Sequence, residues 1–136
     1  MDERLAEFDL GTGALASLED RPDLLIWRSD HAGVEGGETL SEFCRRVTAC
    51  MEEIVERHLD QKVIVVAHAG TIDAVLRWAV GLSSESPWQH EFDLMNGSLT
   101  ELICWPLGRV EGGARPYAAI CSVGAVGHLG DLASDL

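Results

Sequence analysis

Positive charge is what this sequence has least of. Ten lysine and arginine side chains stand against 23 aspartates and glutamates, a formal net charge of −13. A nucleic-acid-binding face needs a basic cluster against the phosphates, so the balance argues against that class of partner. Long apolar runs are also missing. No stretch approaches the roughly 20 residues that span a bilayer, which excludes a membrane-spanning helix. The opening MDERLAEFD is charged and lacks the apolar core of a secretory signal. These absences give the expectation of a soluble, cytoplasmic protein. Cysteine is present but unclustered: Cys44, Cys50, Cys104 and Cys121 form no C-x-x-C pair, so nothing suggests zinc. Cys44 and Cys50 lie six apart in a predicted helix and point to different sides. Cys104 and Cys121 would face each other if their strands pair, and buried free thiols are the reading for a reducing compartment. The sequence also contains no nucleotide-binding glycine fingerprint, no G-x-S-x-G elbow and no internal repeat. No cofactor and no metal are implied.

What is present fits one domain over residues 1–136, with 46% hydrophobic residues, as in ordinary globular chains. The most informative stretch is residues 62–73, KVIVVAHAGTID. Val63, Ile64, Val65, Val66 and Ala67 form an unbroken, mostly β-branched run, which predicts a strand buried on both faces. After His68, Ala69 and Gly70 the period changes. Ile72, Val75, Leu76 and Ala79 fall at i, i+3, i+4 and i+7, an amphipathic helix with Gly81 at its end. Such a strand–turn–helix sits where open α/β sheets bind ligands. The helix start presents unpaired N–H groups and partial positive charge, and Gly70 admits close approach to the backbone. A histidine there suits an anion, above all a phosphate. The same spacing equally fits a histidine that merely ends a strand and bonds a nearby carbonyl; a phosphorylated small molecule is the ligand of the first reading.

The clearest helix follows Thr39 and Glu42, a T-x-x-E capping box. Leu40, Phe43, Val47, Met51 and Ile54 give its apolar stripe, widened by Val55 and His58. Short helices are expected over 14–19 and 23–28, a glycine-rich loop with His31 over 30–37, and a turn near Pro87 and His90. The alternation in 97–105 and the run 117–123 predict two strands pairing as an antiparallel edge hairpin. His128 lies in the tail.

Four segments in order, RLAEFDLG (4–11), GGET (36–39), VIVVAHAG (63–70), and NGSLT (96–100) with GHL (127–129), resemble motifs of the histidine phosphatase superfamily, also called phosphoglycerate mutase-like. The resemblance implies a three-layer α/β sandwich with a mostly parallel sheet. It implies phosphomonoester hydrolysis or phosphoryl transfer through a phosphohistidine, with Glu7 as proton donor, His68 in the phosphate pocket, and Ala69 and Gly70 against the substrate. His128 matches the tail motif and is expected to bond backbone.

The departures are equally specific. The family's Arg-His-Gly, whose histidine accepts the phosphoryl group, occurs nowhere in this sequence, and a second arginine is missing with it. The chain thus resembles the C-terminal part of such a protein, a truncated form of the fold. His68 could stand in as nucleophile only without those arginines, and losing one such electrostatic donor typically costs ~10²–10³ in rate. The chain alone is expected to be impaired or inactive, and whether it is itself an enzyme stays open. The alternative is a non-catalytic relic that binds a phosphorylated ligand or a partner. A sheet edge left bare would invite a homodimer.

Overall fold

The computed structural model describes residues 1–13, 35–86, 91–108 and 116–130. The helices expected over 14–19 and 23–28, His31, and the Pro87–His90 turn lie outside these residues.

Helix α1 spans Leu40–Arg57 and starts as its sequence requires. The Thr39 side chain accepts from Glu42 N–H at 3.2 Å, and the Glu42 carboxylate accepts from Thr39 N–H at 2.8 Å. The cap holds the Glu42 carboxyl below its usual range, the Thr39 backbone bond being the largest cause. Leu40, Phe43, Cys44, Val47, Cys50, Met51 and Val55 are buried. The stripe stops there. His58 is the exposed C-cap, bonded to Gln61, and does not extend it.

Helix α2 spans Ala69–Ala79 and closes with a Schellman turn: Gly81 N–H donates to Trp78 O, and Leu82 N–H to Arg77 O. It buries nearly its whole circumference, including Asp73 and Arg77. Ala74, Val75 and Trp78 pack on Leu40, Phe43, Val47 and Met51 to make the core. Leu5 and Phe8 from the N-terminal segment and Leu102, Cys104 and Ala118 from the sheet close around it. Arg4 pairs with Asp2 at 2.7 Å within the N-terminal turn Glu3–Leu5 and ties that turn to α1 through Glu53 at 2.6 Å.

Strands β1 (Leu99–Trp105) and β2 (Tyr117–Ala125) form the expected antiparallel hairpin. Cys104 pairs with Ala118, not Cys121. The register passes from Leu102↔Ile120 to Glu101↔Ser122, so Cys121 is the extra residue of a β-bulge. The two thiols therefore do not face each other, and all four cysteines are free.

The mostly parallel sandwich is not shown among the described residues, and the buried strand expected at 63–67 is not observed. Among the described residues the sheet has two antiparallel strands, and no parallel pair is present. Residues 62–67 belong neither to a helix nor to a paired strand, and no backbone hydrogen bond joins them to a described residue. They are not buried either. Exposure alternates through Val63 44%, Ile64 90%, Val65 39% and Val66 91%. Period-two alternation is what a strand-like run shows. The residues have strand chemistry, but burial needs neighbouring strands, and none pairs with them among the described residues.

Candidate functional site

The site forms where the N-terminal segment crosses the start of α2. His68 is the N-cap of α2, with φ −80° and ψ 166°, yet its side chain makes no capping bond. The orphan amides are met from elsewhere. Gly70 N–H donates to Glu7 Oε2 at 2.9 Å, and Phe8 N–H donates to Glu7 Oε1 at 2.7 Å. A carboxylate 63 residues upstream thus sits on the positive end of the helix, where charge and hydrogen bonding both favour an anion. Glycine at 70 is what permits the contact. A Cβ there would lie 2.4 Å from Glu7 Oε1.

A second layer fixes the segment that bears Glu7. Arg46 of α1 donates to the carbonyls of Arg4 and Ala6 at 2.8 Å and of Glu7 at 3.0 Å. The same guanidinium forms a two-bond fork with Glu38, at 2.8 and 2.5 Å, and lies 4.8 Å over the Phe43 ring. Glu38 also accepts from Asp9 N–H at 2.9 Å. Thr71 adds a bond from Oγ1 to Ala6 O at 3.2 Å. The loops carrying RLAEFDLG and GGET cross backbone to backbone: a Cβ on Gly37 would stand 2.4 Å from Asp9 O, and one on Gly11 2.3 Å from Gly37 N. Only glycines fit that crossing.

Beside this contact is a cleft of about 380 Å³, lined by Glu7, Phe8, Phe43, Ala69, Gly70 and Asp73 on one side and residues 91–94 on the other. Phe8 and Phe43 meet edge to face at 5.5 Å. Glu7, Asp73, Glu91 and Asp93 are all acidic, and no arginine or lysine lines the cleft among the described residues. His68 is exposed and is not a lining residue, although its neighbours Ala69 and Gly70 are. Beneath lie Asp73 and Arg77, one turn apart and both 4% exposed. Arg77 donates to Ser86 O at 2.9 Å. Burial pushes the nearby Cys44 thiol up from its ordinary value, with Arg77 opposing.

The structure therefore brings together Glu7, Ala69 and Gly70, with His68 at the cap. His58 and His128 are elsewhere and exposed, and His58 bonds Gln61. His31 and His90 lie outside the described residues. Sequence reasoning missed Arg46, Glu38, Asp73 and Arg77. The available signal was weak: Arg46 falls three residues after Phe43, at the border of the apolar stripe.

Comparison with known proteins follows this geometry. The model of the histidine phosphatase superfamily (branch 1) matches residues 1–110. The chain is similar to the putative phosphoserine phosphatase 2 of Hydrogenobacter thermophilus, 29% identical over 109 residues, covering 75% of this chain and 52% of that protein. It is also similar to phosphoserine phosphatase 1 of the same organism, 31% identical over 99 residues, covering 68% and 47%. The chain spans about half the length of the curated relatives it matches. Among solved structures, mycobacterial hydrolase 1 superposes with a TM-score of 0.67 at 23% identity, over 91% of this chain and 64% of that one. Mycobacterial hydrolase 2 gives 0.66 at 23%, over 98% and 64%. These two likenesses concern the fold.

Proposed function

The chain belongs to the histidine phosphatase superfamily, branch 1, and from that premise we propose that it carries the acid–base and phosphate-seat half of a phosphomonoester hydrolase. One observation carries the reading: the Glu7 carboxylate rests on Gly70 N–H at the helix start headed by His68. In the intact reaction a histidine nitrogen attacks phosphorus and the bond to the leaving oxygen breaks. Glu7 gives that oxygen its proton. Glu7 then takes a proton from water as the water oxygen attacks phosphorus and the P–N bond breaks, releasing phosphate. His68 and the positive end of the helix it heads hold the phosphoryl oxygens. The proposed fold is a three-layer sandwich with a mostly parallel sheet. The substrate is a small phosphomonoester of the phosphoserine kind, after the names of the two curated relatives.

The nucleophile is not in this sequence, since no Arg-His-Gly occurs. The chain alone is therefore a binder with little or no turnover. The test pairs a turnover assay on phosphoserine and p-nitrophenyl phosphate with thermal melting in inorganic phosphate. Turnover near background, with a phosphate-dependent rise in melting temperature that disappears in His68→Ala, is expected. Rapid turnover overturns the impairment, and a melting temperature indifferent to phosphate overturns the site. The same missing motif favours a second reading, a permanently non-catalytic phosphate binder, which predicts no turnover under any complementation.

A further inference from the structure

A second cavity lies at the far end of α2, lined by Trp78 and the turn after it. Trp78 is about 15 Å along the helix axis from His68, at 1.5 Å per residue, so this cavity is separate from the cleft at Gly70. Its volume is about 260 Å³, below the roughly 300–1,000 Å³ of pockets that take drug-sized ligands. One wall is a single stripe of α1. Arg45, Thr48, Ala49 and Glu52 fall at i, i+3, i+4 and i+7, outside the buried set of that helix. The other wall is the Trp78 ring and Leu82, with Ser83 and Ser84 following. Ser41 donates to Glu85, which holds that turn against the start of α1, the Arg45 end of the stripe. We propose that this cavity binds a small zwitterion, a free amino acid with an apolar side chain, its carboxylate toward Arg45 and its ammonium toward Glu52.

Charge selects the ligand class. The cavity offers one guanidinium and one carboxylate, at opposite ends of the same stripe. A dianion would meet a chain of charge −13 and a plain cation would meet Arg45, whereas a ligand of zero net charge meets neither repulsion. Arg45 acts on Glu42 through space, while that carboxylate is taken up by the Thr39 cap. A ligand carboxylate can therefore form a fork on the Arg45 guanidinium, with the Ser83 and Ser84 hydroxyls close by. Trp78 is 4% exposed, and its indole N–H is a buried donor without an acceptor among the described residues. Buried indoles ordinarily find one, and the same carboxylate supplies it. The apolar side chain of the ligand rests on Trp78, Leu82 and Ala49, the only large apolar surface of the lining being the first two. Nothing in this site uses His68 or Glu7, so it goes beyond the phosphatase reading and does not rest on it.

Isothermal titration of the full chain with L-leucine is the test. Saturable one-to-one binding is expected. It should weaken at least tenfold for L-leucinamide, which lacks the carboxylate, and for 4-methylpentanoate, which lacks the ammonium. Arg45→Gln should weaken leucine binding at least tenfold and leave leucinamide unchanged. Glu52→Gln should weaken leucine similarly and leave 4-methylpentanoate unchanged. Arg45 is exposed and Glu52 half-buried, so both variants should keep the helical circular dichroism of the parent. His68→Ala, at the other end of α2, should bind leucine as the parent does, so that failure of the phosphate site leaves this cavity standing. Absent binding, equal binding of the three compounds, or leucine binding indifferent to both Arg45→Gln and Glu52→Gln overturns the proposal.

Discussion

Arg46 does the most at the scale of single residues. Its guanidinium meets three carbonyls of the segment carrying Glu7, a carboxylate and an aromatic face at once. Its side chain and that of Glu38 are only 23% and 16% exposed, so water replaces these bonds poorly. Arg46→Ala should cost roughly 2–4 kcal/mol, the range for breaking a hydrogen-bonded charge out of solvent. Arg46→Lys should recover only part, because an ammonium cannot reproduce the fork. Limited trypsin digestion provides the local readout: cleavage after Arg4 should accelerate in Arg46→Ala, through release of its anchor. Unchanged cleavage with a lowered melting temperature would mean that Arg46 supports α1 and not the Glu7 segment.

Elements differ in how much of themselves they contain. Helix α1 has cap, stripe and charged face within its own residues; the cap appears as expected and the stripe runs to Val55, short of His58. Thr39→Ala should cost about 1 kcal/mol, as for other lost N-caps, measured by urea denaturation with an unchanged m-value. The capping bonds are local, so Thr39→Ser should restore most of it. Helix α2 was legible as a helix, but its burial was not. Asp73 and Arg77, charged residues outside the predicted apolar stripe, lie inside, and Arg77 donates to Ser86 O. The hairpin was legible from alternation, while the bulge at Cys121 came from pairing two strands of unequal span.

For the whole molecule, charge and an uncovered surface dominate. Asp2 and Glu53 are both held below the usual carboxylate range, chiefly by hydrogen bonds from Arg4. Carboxyls depressed in the folded state contribute stability that is present above their unfolded value, about 4, and is lost as pH falls through the folded one. At neutral pH the opposing term is repulsion within a chain of charge −13. The melting temperature should therefore rise with added salt at pH 7, hold or rise toward the isoelectric region near 4.6, and fall below about pH 4. Asp2→Asn should flatten the acid limb. A midpoint that climbs steadily below pH 4 would contradict the ion-pair account. No described helix is long and apolar enough to cross a membrane.

The sequence alone determined what depends on neighbours within a turn or two: the capping box, the two helical periods, the alternating strands, and the anion-friendly start of α2 after His68. Motif order gave the family. Only the tertiary structure decided contacts between distant segments. It seated Glu7 on Gly70, threaded Arg46 through three carbonyls, buried Asp73 and Arg77, and left residues 62–67 in solvent. The last result shows the division most clearly. A β-branched run states a preference for the inside of a sheet, but being inside requires strands on either side, and no residue within the run can supply them.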